Sequence, residues 1–112
     1  SNSLLAGSTL AGVSLARACM KETDMTGTFA VGTDFRGTIL NGAIMRAANF
    51  SGANFRGASL IDADLSLADL VGADFRGAQL DGATLNGSRH DGTTRWPETF
   101  KPLTSGGIES HE

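Results

Sequence analysis

Between Ala63 and Leu85 the chain repeats a small, a polar and a large residue with a period of five. Alanine stands at 63, 68, 73, 78 and 83, and a large apolar residue at 65, 70, 75, 80 and 85. The pattern reaches well beyond this stretch. From Leu5 to Leu85 every position divisible by five is large and apolar except Ala30. Two residues before each stands a smaller one, Ser, Thr or Val at most places in the first half and Ala in the second. Two residues after each, glycine dominates, and the places between are mostly polar. No insertion interrupts this register from Ser3 to Thr93.

A period of five fits neither regular element. A helix of 3.6 residues per turn would smear the columns around its surface, and a straight strand would flip faces at every repeat. The pattern is satisfied if the small and large residues of each repeat both point inward and the chain then turns the same way. Four such turns close a square of about 20 residues, and successive coils stack at about 4.8 Å, the spacing of hydrogen-bonded strands. A second period agrees with this. Asp34-Phe35-Arg36-Gly37, Asn54-Phe55-Arg56-Gly57 and Asp74-Phe75-Arg76-Gly77 recur 20 residues apart. Stacking therefore predicts an internal column of Leu15, Phe35, Phe55 and Phe75, and an outer ladder of Arg36, Arg56 and Arg76 beside Asp34, Asn54 and Asp74.

Departures from the rule carry their own expectations. Ala30 leaves room inside and Phe29 lies beside it. Either Phe29 is exposed over a smaller core, or the strand shifts so that Phe29 turns in; the intact register favours exposure. Arg17, Glu22, Ala47, Asp62 and Leu67 replace glycine at corners, which suggests a turn that does not need φ > 0. His90 takes a large-residue place and reads as the terminator of the repeat. Beyond it, Trp96 and Phe100 are suited to covering the C-terminal end, where a solenoid exposes an open strand edge and an apolar cross-section. Residues 104–112 read as a flexible end.

These residues resemble the pentapeptide repeat family, whose consensus is written A-(D/N)-L-x-x. The resemblance covers residues 3–93. It implies an all-β fold, a right-handed quadrilateral parallel β-helix of about four and a half coils, with 94–112 as C-terminal cap and tail. The segment from Thr94 to Pro102 is similar to the T-R-(W/F)-P-x-x-F-x-P ending of many members, with Thr99 where glycine is frequent. The family includes cyanobacterial, lumenal and periplasmic proteins. The cytoplasm is the default compartment expected of a soluble chain, and the resemblance leaves the periplasm and the thylakoid lumen open. Some members mimic duplex DNA and shield type II topoisomerases such as gyrase from quinolones, but those are typically longer, strongly acidic and dimeric through a C-terminal element.

Composition narrows the chemistry. A net charge of −3 is too mild for a nucleic-acid binder. No apolar run approaches the roughly 20 residues of a membrane span. Ser1-Asn2-Ser3, with no basic region followed by an apolar core, is not expected to open a signal peptide. Cys19 is the one cysteine, so neither an intrachain disulfide nor a cysteine metal site is expected. Asp62, Asp64, Asp69 and Asp74 form an acidic run, but the fold spreads them over diverging faces, which argues against a calcium site. No histidine or serine has partners at catalytic spacing. Neither cofactor, metal nor small-molecule substrate is expected. Exposed apolar residues remain, since Phe29, Val31, Ile39, Ile44, Ile61 and Val71 all face outward by register. The resulting expectation is a non-catalytic interaction module that binds a protein partner or a second copy. Its candidate surface is Phe29, Ile39, Ile44, Ile61, Arg36, Arg56 and Arg76. A gyrase-binding DNA mimic is the alternative, and an enzyme or small-ligand binder the third class.

Overall fold

The computed structural model describes Gly7 and residues 9–98. Phe100 and the tail beyond it, like the start of the first repeat, lie outside the described residues. The chain winds as a parallel β-solenoid, and its extents are 34 × 21 × 20 Å, one long axis and two nearly equal short ones. Each repeat contributes one bridging residue, paired in parallel with the residue 20 positions later, from Thr9↔Phe29 through Asp69↔Arg89. Four ladders result. The first wall holds Thr9, Phe29, Asn49, Asp69 and Arg89; the second holds Ser14, Asp34, Asn54, Asp74 and Arg95. The third holds Cys19, Ile39, Ser59 and Gln79, and the fourth Asp24, Ile44, Asp64 and Thr84.

The hydrogen bonds explain why five residues suffice for each wall. The large residue's N–H donates to the next coil, as Phe55 does to the Asp74 carbonyl at 2.7 Å. The bridging residue's N–H donates to the previous coil, as Asn54 does to the Thr33 carbonyl at 2.9 Å. From Val13 to Ser88 every small residue's N–H donates to the carbonyl of the large residue three before it, closing a β-turn at each corner. The corner residue's N–H again donates to the next coil, as Gly57 does to the Arg76 carbonyl at 3.1 Å. One amide per repeat, on the residue after the large one, is left for a side chain. Asp or Asn at the bridging place accepts it: Asp34 takes the Arg36 N–H, Asn54 that of Arg56 and Asp74 that of Arg76, at 3.0–3.1 Å. Asp24, Asn49, Asp64 and Asp69 do the same for Thr26, Ser51, Ser66 and Val71. This is the Asx-turn, and it accounts for the D/N of the repeat.

Inside, the small and large residues form continuous columns, and the large ones from Met25 to Phe75 are fully buried apart from Ala30's smaller contribution to the volume. Phe35, Phe55 and Phe75 stack nearly parallel, with ring centroids 4.7 and 4.8 Å apart. Phe50 meets Phe35 and Phe55 edge-on, at 5.8 and 5.3 Å. Phe50 follows Ala30 in its own column and meets both Phe55 of its own coil and Phe35 of the Ala30 coil. Phe29 is exposed, while its bridges to Thr9 and Asn49 are intact, so the strand does not shift. The threonines at small places are likewise buried. Thr33 and Thr38 donate their hydroxyls to the Leu10 and Leu15 carbonyls at 2.6 and 2.8 Å.

Two expectations are corrected. The corners without glycine do not use a different turn: Arg17, Glu22, Ala47, Asp62 and Leu67 all have φ between 59° and 63°. The reason is the ladder. Each of their amides must reach the next coil, as Leu67 N–H does to the Asn86 carbonyl at 2.9 Å, and the same turn geometry provides this at every corner. At every one of these corners but Ala47, whose counterpart is Leu67, the side chain then lies over the next coil's glycine; a Cβ on Gly87 would stand 2.8 Å from Leu67 Cδ2. The second correction concerns the register, which advances by one residue after Arg89, so that Arg95 bridges Asp74. The turn at Asp91 to Thr94 absorbs the extra residue: Asp91 accepts the Thr93 N–H and the Thr94 N–H donates to the Asp91 carbonyl. Thr94, Arg95 and Trp96 thereby take the small, bridging and large places of one more repeat. Thr94 is buried and donates its hydroxyl to the Leu70 carbonyl at 2.9 Å. Trp96 stacks on Phe75 at 5.1 Å and 5°.

The corners make one prediction. Gly57 has φ +69° and open space around its missing Cβ, so Gly57→Ala isolates the backbone effect and should cost about 1 kcal/mol. Ala47→Gly, at φ 59°, should act in the opposite direction. Thermal denaturation of the two variants beside the parent chain checks both signs.

Candidate interaction surface

The outward side chains are fixed by the same register that fills the interior. Arg36, Arg56 and Arg76 follow the second wall and stand at its corner with the third. They are not three equivalent free cations. Arg36 folds back on Asp34, donating from Nε at 2.9 Å and from a terminal nitrogen at 2.8 Å. Arg76 makes the same fork with Asp74, at 2.9 and 2.6 Å. Arg56 stands beside Asn54, and among the described residues it forms no ion pair. The Arg36 guanidinium, and next to it the Arg36 amide, hold the Asp34 carboxyl down at about 2. Arg76 likewise lowers Asp74, with a smaller long-range contribution from Arg56. The carboxylates thus serve backbone and side chain of the same arginine.

The acidic run diverges. Asp64, Asp69 and Asp74 sit on three different walls, each bound to the backbone two residues on. Asp64 also pairs with Arg46 at 3.4 Å and Asp69 with Arg89 at 3.6 Å. Among the described residues no three histidine, cysteine or acidic side chains converge as a metal site would require.

The apolar candidates separate into two places. Ile39 on the third wall and Ile44 on the fourth are 37% and 40% exposed. Ile61 is half-buried and stands at the corner between these walls. The arginine corner adjoins the same third wall, so Ile39 and Ile61 lie between Arg36, Arg56 and Arg76 at one of its edges and Ile44 around the other. Phe29, 48% exposed, is on the first wall, opposite Ile39, and does not join them. Cys19 is exposed and bridges Ile39. Two further exposed residues escaped the sequence reading, Val13 and Leu67, the latter the most exposed at 58%. Leu67 could have been found, since a leucine at a glycine corner has nowhere to point but outward. Trp96 was read as a cover, and its ring lies on Phe75; Phe100 is outside the described residues.

Residues 19–57, 31–66 and 48–87 match the model of the pentapeptide repeats, in eight copies. The chain belongs to the pentapeptide repeat family. Solved structures agree with this pentapeptide repeat fold. A pentapeptide repeat protein from the cyanobacterium Cyanothece 51142 superposes with a TM-score of 0.82 at 31% identity, over 83% of this chain and 63% of that one. One from Nostoc PCC 7120 gives 0.57 at 29% identity, over 98% of this chain and 86% of that one. The chain therefore spans somewhat less than two thirds of the Cyanothece protein. No curated protein is similar enough in sequence to count as a relative. No helix among the described residues is long and apolar enough to cross a membrane.

Two predictions follow from the polar ladder of this pentapeptide repeat protein. Asn54→Ala removes the acceptor of the Arg56 amide and should cost about 0.5–1.5 kcal/mol in chemical denaturation. The second concerns acid. A carboxyl held below its ordinary value of 3.8 stabilises the fold above that pH and loses its contribution as pH falls through about 2. Stability should fall across that window, and Asp34→Asn should make the fall shallower; melting temperature against pH measures both.

Proposed function

We propose that this pentapeptide repeat protein is a non-catalytic interaction module. We further propose that it is a right-handed quadrilateral rod of about four and a half coils, from residue 3 to 93, with 94–112 as C-terminal cap and tail, the cap opening on the further repeat at Thr94–Trp96. The observation that carries the functional reading is the division between inside and outside. The interior is filled mainly by Leu, Met, Phe, Ala and Thr side chains, with His90 near its C-terminal end, while the aspartates and arginines diverge over four walls. On one side the polar ladders are interrupted by Ile39 and Ile44, with Ile61 between and the arginine corner alongside. Apolar residues grouped in this way, rimmed by polar ones, favour a protein partner or a second copy of the chain. We place the docking surface on this side, with Phe29 as a separate contact on the opposite wall.

The DNA-mimic reading has less support. Such a surface needs rows of carboxylates presented to a partner, whereas Asp34 and Asp74 are engaged by their own arginines.

Ile39→Asp with Ile44→Asp should weaken partner capture, or self-association measured by sedimentation, by at least about tenfold, equivalent to about 1.4 kcal/mol. Ile44 bridges Asp24 and Asp64, so its Asp variant adds a like charge to that ladder and should lower the melting temperature somewhat; Ile44→Asn, without the charge, separates that loss from the effect on association. Phe29→Asp tests the opposite wall separately. Association undiminished in all these variants, or robust turnover by the purified protein, would overturn the reading.

A further inference from the structure

The repeat before the last places an ionisable ring in the interior. His90 takes the large-residue place in the column of Leu10, Ala30, Phe50 and Leu70, and is 6% exposed. Neither Nδ1 nor Nε2 has a hydrogen-bond partner. The imidazole stands 5.3 Å from the Trp96 ring at 87°, much as Phe50 stands to Phe55 two coils earlier. A neutral imidazole already carries one unpaired N–H there; a second proton would add a buried charge without a partner.

Trp96 directly follows Arg95, which forms the last bridge with Asp74. Arg95 donates its N–H to the Ala73 carbonyl at 2.9 Å and accepts the Phe75 N–H at 2.7 Å. We propose that His90 makes the C-terminal coil a proton-operated latch. While the ring is neutral, Arg95 and Trp96 close over Asp74 and Phe75; when it gains a proton they release, opening the strand edge and the Phe75 face.

The surrounding charges do not reverse this. Asp91, next in the chain, favours the imidazolium, but Thr93 engages its carboxylate through both hydroxyl and amide. Arg89, on the other side, is exposed and paired with Asp69 of the preceding coil. Arg95 is exposed beside Trp96. Burial outweighs Asp91 and keeps the ring below its ordinary 6.5. The latch therefore holds fully above that pH and weakens as pH falls from 6.5 through the folded value. Because a solenoid is stabilised by nearest-neighbour contacts, the release stays at this end.

Trp96 is the only tryptophan and His111 the only other histidine, so a His111→Ala background gives one reporter and one titrating ring. The chain is titrated from about pH 7.5 to about pH 5, above the carboxylate range. Trp96 emission should shift to the red. Amide protection at Phe75 and Arg95 should fall by up to about tenfold per pH unit, while that of Phe55 holds. His90→Phe, the ring that Phe50 already places in this column, should abolish the response, and His90→Leu should do the same if that variant fails to fold. The His90 ring, followed by NMR in the unsubstituted column, should titrate below 6.5 together with the Trp96 change. A ring titrating at or above 6.5, a response independent of pH, or an equal response in the His90 variants would overturn the latch.

Discussion

The structure depends on the backbone ladder between coils. Almost every amide of a repeat is committed to a carbonyl one coil away or to its own corner, and the spacing this sets is also the spacing of the interior. The stacked rings of Phe35, Phe55 and Phe75 are 4.7 and 4.8 Å apart, within the range of neighbouring strands. One length therefore satisfies hydrogen bonds outside and aromatic contact inside. Where the two demands conflict with local preference, the ladder prevails. Five residues other than glycine hold φ near +60°, although such a conformation costs an L-residue about 1–2 kcal/mol.

Much of this was legible in the sequence, because inward columns with a period of five leave a direct trace. The Phe column and the arginine corner followed from the recurrence at 20 residues. What escaped was decided by contacts between coils. The turn at Leu67 or Glu22 cannot be inferred from its own residue, since the acceptor that fixes it lies 19 positions on. The one-residue advance after Arg89 is invisible until Trp96 is seen on Phe75, although Thr94-Arg95-Trp96 repeats the order small, polar, large. The aspartates were read as charge partners for arginine; their shared task is the one amide that the ladder leaves over. Register also showed that Ile39, Ile44 and Phe29 face outward. It could not show what meets them, because that depends on a surface belonging to another molecule.

The two kinds of polar group in this protein contrast sharply. On the walls, Asp34, Asp64 and Asp74 each have backbone and side-chain donors and remain in contact with water. Inside, Thr33, Thr38 and Thr94 satisfy their hydroxyls with carbonyls of the preceding coil, whereas His90 has no such outlet. A rod whose ends carry less backing than its middle concentrates its responsiveness there, while the central coils keep the spacing of the walls fixed for any partner.

The equivalence of the four walls has a consequence for how such a chain can change length. Gaining or losing 20 residues leaves each downstream side chain on its own wall. Gaining or losing five would still alternate small and large residues inward and still turn a corner in register. It would, however, rotate everything downstream by a quarter turn, moving Arg76 away from the corner of Arg36 and Arg56 and taking Phe75 out of its aromatic column. The interior tolerates the smaller unit in hydrophobicity, but only the larger unit preserves a recognisable outer face.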